Sequence, residues 1–263
     1  MRIRAALCII ILATANPAIA AKQEAAATAA ATPAVTLRIA TERMPPSSMV
    51  VDGVMTGRET DKIRELMART GTAYKLELLP WKRAYVNALT HDHACVYSTT
   101  RTPEREPLFK WVGATDFAEW QLWGRVDSGY TLKTLEDARK LRIGTANGDA
   151  RDEFLRSRGF VVEPVNEDTL NAQKLLMRRV DLWAVSVRNG TKGPRGLAGS
   201  EVAPLLSFHR VQVYLACNNS VPDALIERLN AAVADMWRDG TMERIGRKYE
   251  NWAPPGEGRR AGP

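Results

Sequence analysis

The chain has 263 residues, with 37 Lys and Arg against 30 Asp and Glu and a formal net charge of +7. Its basic residues are scattered, with no run of five or more and no helix-turn-helix or RNA-binding signature, which excludes nucleic acid as an expected partner. Beyond the first 20 residues, nothing approaches the roughly 18 uninterrupted apolar residues that a membrane helix needs.

Arg2 and Arg4 precede an apolar run from Ala5 to Ala13, and Asn16, Pro17, Ala18 and Ala20 follow. This order predicts a secretory signal peptide over residues 1–20, cleaved after Ala20. Cys8 sits at the start of the apolar run instead of at the cleavage site, so no lipid anchor is expected. Export leaves roughly 243 residues and a charge of about +5, enough chain for one large domain or two small lobes. Residues 21–35, an Ala, Thr and Pro tract, bury too little surface to order and form a leader. Residues 253–263, rich in Pro, Gly and Arg, form a loose tail for the same reason.

Between them strands and helices alternate. Thr36 to Ala40 reads as a strand, and Ile63, Leu66 and Met67 mark a helix that stops at Gly71. Lys75 to Leu79 is a strand, Lys82 to Leu89 a helix, and Ala94 to Tyr97 a strand. Leu141 to Thr145 is the next strand, followed by helices at Asp149 to Arg158 and Leu170 to Arg178 and a strand at Val180 to Val185. A strand at Val211 to Ala216 leads to a helix opened by Ser220 and Pro222, with Leu225, Ile226, Leu229, Val233 and Met236 as its buried stripe and Gly240 as its end. A last helix carries Met242, Ile245 and Tyr249. Such alternation predicts mostly parallel sheets with helices on both faces, whose ligands bind at the carboxyl ends of the strands.

The strand ending at Tyr97 runs into Ser98, Thr99, Thr100, Arg101, Thr102 and, three residues on, Arg105. Hydroxyls and a guanidinium there suit a small anion, because an arginine fork holds a carboxylate through two parallel hydrogen bonds. A solvated turn in which Arg105 pairs with Glu104 or Glu106 is the plain alternative. Asn147-Gly148-Asp149 lies at another strand end, where helix amides can receive an anion. Cys95 and Cys217, the cysteines left after cleavage, each end an apolar strand-like run. In an oxidising compartment they are expected to form a disulfide, with two buried thiols as the alternative. Signatures of nucleophilic, zinc, redox and nucleotide chemistry are absent. His91-Asp92-His93 is a polar turn without companion ligands, so neither cofactor nor metal is expected.

The chain resembles the periplasmic solute-binding proteins of family 3, the type that serves polar amino-acid ABC importers. The resemblance covers roughly residues 36 to 252 and is carried by Leu37-Arg38-Ile39-Ala40-Thr41-Glu42, the Gly57 to Gly71 region, Leu79-Pro80-Trp81-Lys82-Arg83-Ala84-Tyr85 and Ser98 to Phe109. Leu141-Arg142-Ile143-Gly144-Thr145, Arg179-Val180-Asp181, Asp239-Gly240-Thr241 and Arg247-Lys248-Tyr249 continue it. It implies the type II periplasmic binding protein fold, two α/β lobes joined by a two-strand hinge. Lobe one would comprise residues 36–114 and 213–252, and lobe two residues 115–212. Cys95 and Cys217 would then share lobe one, which strengthens the expected bridge.

The resemblance also implies a site. Arg105 matches the arginine that grips the ligand carboxylate, with Ser98 and Thr100 as flanking contacts. Glu42 falls near a site position, Trp81 would be an aromatic wall, and Asp149 matches a second-lobe loop that meets the ligand's anionic end. One of Trp120, Trp123 or Trp183 could also face the cleft. Amino-acid binders hold the α-ammonium with an Asp five residues beyond the position of Asp181, and here that residue is Ser186. Asp149, Asp152 or Glu42 would compensate, or the ligand lacks an α-amino group. The expected protein is a periplasmic monomer that captures a small amino acid or organic acid for an inner-membrane ABC permease. A soluble sensor acting with a receptor kinase and a cyclohexadienyl-dehydratase-like enzyme, with Glu42 or Asp149 as its acid or base, are the alternatives.

Overall fold

A computed structural model of the chain describes residues 35–188 and 190–253. The expected signal peptide, nearly all of the leader and all but the first residue of the tail lie outside them. Strands β1 (Leu37–Thr41), β4 (Tyr74–Leu78), β5 (Ala94–Thr100), β6 (Lys110–Arg125), β7 (Ile143–Ala146), β8 (Val162–Val165), β9 (Leu182–Arg188) and β10 (Val202–Cys217) form one sheet in the order β4-β1-β5-β10-β6-β9-β7-β8. A hairpin of β2 (Met49–Val51) and β3 (Val54–Thr56) stands apart. The principal helices are α1 (Arg58–Thr70), α2 (Trp81–Thr90), α3 (Ala150–Ser157), α4 (Leu170–Leu176), the single turn α5 (Arg195–Ala198), α6 (Asp223–Arg238) and α7 (Thr241–Arg247).

The two 16-residue strands organise the sheet. β6 and β10 run antiparallel along their whole length, from Val202 opposite Arg125 to Cys217 opposite Lys110. β5 pairs only with the Val213–Cys217 end of β10, and β9 only with Ala118–Trp123 of β6. Each end of the long pair is thereby extended on one side by three strands that are parallel among themselves, β5-β1-β4 and β9-β7-β8. The expected two-lobed α/β architecture with two crossing strands is present. Each half has its own core. Leu37, Ile39, Tyr97 and Leu215 pack with Ile63 and Leu66 of α1 and Leu229, Val233 and Met236 of α6. Leu122, Ile143, Leu182 and Ala184 pack with Leu155 of α3.

Helix ends follow the expected chemistry. Gly71 closes α1 in the left-handed conformation at φ 62°, donating to the carbonyls of Met67 and Ala68. Several sequence readings need correction, and β2, β3 and β8 were not predicted as strands. β10 starts at Val202, nine residues before the predicted Val211, and β6 was not predicted as a strand. β6 carries Gly113 and Asp116 in its interior and is buried at irregular intervals, so neither a period of two nor a continuous apolar run marks it. The sheet is also less parallel than the alternation implied, because every pairing made by β6 or β10 is antiparallel.

Cys95 on β5 and Cys217 on β10 stand opposite one another and are joined by a disulfide. The bridge links positions 122 residues apart inside the first core. Closing so long a loop restricts the unfolded chain, so Cys95→Ser/Cys217→Ser should lower folding stability by about 3–5 kcal/mol. Urea midpoints of the oxidised and serine forms measure this directly, and coincident midpoints would show that the bridge contributes nothing.

Candidate functional site

The carboxyl ends of β1 and β5 on one side of the long pair and of β7 and β9 on the other face each other, because β5 runs antiparallel to β10 and β9 antiparallel to β6, each towards the middle of the pair. Glu42 follows β1, Ser98 and Thr100 end β5, and Asp149 follows β7 as the N-cap of α3, its side chain accepting from the Arg151 N–H. Together with Ser186 of β9 these residues line one polar pocket of about 30 Å³. Five of the seven predicted ligand residues are thus brought together. Trp120, one of the three tryptophans considered, sits opposite Ser186 in the β6–β9 register and also lines the pocket.

Ser98 has φ +60°, rare for a residue other than glycine, where β5 and β10 lose register. Its Oγ is buried without a hydrogen-bond partner. Strain of order 1 kcal/mol or more at one strand position persists where surrounding structure enforces it, and such positions cluster at binding sites.

Arg105 is only 2% exposed. Its Nε and Nη2 donate to Glu153 Oε2 at 3.2 and 2.8 Å, Nη2 also reaches the Gly148 carbonyl at 3.2 Å, and the guanidinium lies 4.8 Å above the Tyr85 ring. Nη1 has no partner. The surface ion pair of this loop belongs instead to Arg101 with Glu106, so the plain solvated-turn reading of Arg105 does not describe it. Arg105 and Thr102, whose Oγ1 is also buried and unpartnered, line a second cavity, a groove of about 1000 Å³ that meets the polar pocket at Thr100 and Trp120.

Trp81, expected as an aromatic wall, lines neither cavity. It is buried at the start of α2 among Ala40, Ala84, Val96 and Phe109, and its Nε1 donates to the Gly148 carbonyl at 3.0 Å. Trp81 and Arg105 therefore converge on one carbonyl of the β7–α3 turn. Gly148 holds φ +69°, a left-handed conformation that favours glycine.

Two arginines in the pocket were not foreseen. Arg151 bonds Asp149 Oδ1 through Nε, Asp168 Oδ2 at 3.1 Å and the Ala184 carbonyl at 3.1 Å. Burial works to raise the Asp149 carboxyl, but the charge and hydrogen bonds of Arg151 outweigh it and hold Asp149 below its ordinary value. Arg188 donates from Nη1 to Ser186 Oγ at 2.9 Å, while its Nε is buried without a hydrogen bond, 4.0 Å from Asp116. Strand parity was the signal for Arg188: it lies two residues beyond Ser186 and shares its face. Arg151 carried no such local mark.

Glu42 keeps Oε2 sealed from solvent and unpartnered. Burial, reinforced by Asp168 and Asp149, pushes its carboxyl well above the ordinary range against the pull of Arg151 and Arg188. Behind the pocket, Asp116 of β6 accepts from Arg58 at 2.6 and 3.2 Å and lies 2.8 Å from Lys62, which also pairs with Glu59 at 3.0 Å. Among the described residues no cluster of three or more His, Cys, Asp or Glu is arranged to hold a metal ion, and no helix is long and apolar enough to cross a membrane.

The site's unpaired groups are therefore Glu42 Oε2, Ser98 Oγ and Arg188 Nε in the pocket and Thr102 Oγ1 and Arg105 Nη1 in the groove. Buried polar atoms are ordinarily satisfied, and a concentration of unsatisfied ones in adjoining cavities is what a polar ligand would complete.

Residues 37–251 match the family of bacterial extracellular solute-binding proteins, family 3. The L-cystine-binding protein TcyJ of Escherichia coli K12 is 23% identical over 208 residues, 75% of each chain. Among solved structures, a histidine kinase sensor domain with similarity to periplasmic binding proteins superposes with a TM-score of 0.74 at 16% identity, covering 84% of this chain and 98% of that one. The amino acid ABC transporter substrate-binding protein AbpA of Streptococcus pneumoniae, bound to L-arginine, gives a TM-score of 0.72 at 14% identity over 82% of this chain and 94% of its own.

Proposed function

The chain belongs to the bacterial extracellular solute-binding proteins, family 3, and from that premise we propose that it captures a small carboxylate-bearing solute in the periplasm and presents it to an ABC importer of the inner membrane. It is exported by residues 1–20, acts as a monomer and binds without turnover. Residues 36–114 and 213–252 form one lobe and residues 115–212 the other. Arg105, with Thr100 and Ser98, receives the carboxylate. Glu42, Asp149 and Ser186 meet the rest of the polar head, and Trp81 acts from behind by holding the Gly148 turn.

The observation that carries this reading is the convergence of unpartnered buried donors and acceptors from β1, β5 and β9 on adjoining cavities. A ligand that touches both lobes binds the closed arrangement better than the open one, and that difference is what shifts the population towards closure. Import then follows if the permease recognises the closed form.

A thermal-shift screen of the purified protein against amino acids including cystine, organic acids, polyamines and small sugars tests the reading. A carboxylate at 100 times its dissociation constant should stabilise the protein by about 2.7 kcal/mol, a shift of several degrees. Stabilisation by sugars or polyamines alone, with none by any carboxylate, would refute it. Pairing each L-amino acid with its deaminated counterpart reads the consequence of Ser186, which carries no charge to hold an ammonium.

A further inference from the structure

We infer that the groove beside the polar pocket holds the body of the solute, and that the solute is a carboxylate bearing an aromatic ring. This rests on the solute-binding reading above and adds a chemical class to it.

The cavity volumes decide where the bulk of a ligand can go. A site of about 30 Å³ has room for a water or two, since one water needs at least about 10–15 Å³. The adjoining groove, at about 1000 Å³, is at the upper end of the roughly 300–1,000 Å³ of small-molecule sites. The two halves already touch at its edge. Trp81 Nε1 and Arg105 Nη2 already reach the Gly148 carbonyl, and Arg105 is bonded to Glu153 of α3.

The walls specify the chemistry. Trp120 and Phe154 meet edge to face with centroids 5.5 Å apart, and His209 stacks on Phe154 at 5.6 Å and 25°. Tyr85 and Tyr214 complete an aromatic lining, over which the guanidinium carbons of Arg158, Arg105 and Arg101 lie 3.6, 4.8 and 5.5 Å from the Phe154, Tyr85 and Tyr214 rings. A lining of rings and stacked guanidinium planes favours a flat ring, which packs on either, over a hydrated flexible chain. Arg105, nearly fully buried, and Thr102 both line this space, and the Nη1 of that permanent cation and the Thr102 hydroxyl have no hydrogen-bond partner. A ring with a carboxylate at one end answers both features, with the carboxylate at Arg105 and the ring along Trp120 and Phe154.

Two matched pairs test this by calorimetry on the purified protein: L-phenylalanine against L-alanine, and 3-phenylpropionate against propionate. In at least one pair the ring should tighten binding about tenfold or more, the effect of burying one aromatic side chain. Phe154→Ala should bring that ratio towards one. Phe154→Leu, which keeps apolar bulk and removes the ring, should lower it partway and serves if the alanine form folds poorly. Equal affinities within both pairs would overturn the inference while leaving the solute-binding reading intact. Failure of every carboxylate, here and in the thermal screen, would overturn both. A ring preference unchanged by either Phe154 variant would remove the groove from the assignment and so overturn it as well.

Discussion

Asp116→Ala is expected to cost about 3–5 kcal/mol of folding stability, which for a protein of this size lowers the melting temperature by roughly 10 °C. Asp116 lies in the interior of β6, where the side chains of Asp116 and Lys62 are 4% and 1% exposed and that of Arg58 is 9% exposed. Its carboxylate is shared by Arg58 and Lys62, and removal takes from both buried cations the counter-charge they share. Burial would raise the Asp116 carboxyl, but the Arg58 hydrogen bonds and the Lys62 charge hold it far below the ordinary carboxylate range. A carboxyl depressed on folding stabilises at every pH above its unfolded value near 3.9, and loses that contribution only as pH falls towards the folded value. The difference between wild type and Asp116→Ala should therefore be flat from about pH 8 to 5 and narrow below about pH 4. Urea unfolding across that range measures it. A loss under 1 kcal/mol would show that the network does not depend on its central carboxylate.

Arg105→Ala should weaken binding of any carboxylate found in the thermal screen by about 2–5 kcal/mol, roughly 30-fold to 4,000-fold. The magnitude follows from its burial: a charge-assisted bond in a site screened from water is worth several times a surface pair. Arg105→Lys should recover only part of the loss. It keeps the charge but lacks the fork that bonds Glu153 and Gly148 through Nε and Nη2 while leaving Nη1 without a partner. Titration calorimetry, with circular dichroism to confirm folding, separates the cases. Full affinity in Arg105→Ala would remove this residue as the carboxylate clamp and leave Arg188 as the cation to test.

The sequence was legible wherever local chemistry is self-sufficient. Apolar residues at helical spacing with Gly71 and Gly159 as stops are properties of a few neighbouring residues, and the structure has helices at those places. Glu42, Ser98, Thr100, Asp149 and Ser186 came from the resemblance to the family, and Ser98, Thr100 and Asp149 also from their places at or just after the carboxyl ends of strands. Misreadings arose where a residue's environment comes from far along the chain. The charged residues at the start of α1, Arg58, Glu59, Asp61 and Lys62, were given no role. In the fold Arg58 and Lys62 meet Asp116, 58 and 54 residues away, and are buried. Trp81 resembled a site wall, yet its indole packs into a core and acts through the Gly148 carbonyl.

By itself, then, the sequence determined the alternation of elements, the family and the strand ends that compose the polar pocket, since each depends on side chains within a turn or strand of one another. It also supplied the two cysteines whose pairing the fold then made. Tertiary structure alone decided that β6 and β10 run the length of both halves, that Arg188 rather than a carboxylate accompanies Ser186, and that a broad aromatic groove adjoins a very small polar pocket. Those features depend on register and on charges paired across the sheet. Such pairings are held by burial, and burial is a property of the folded whole.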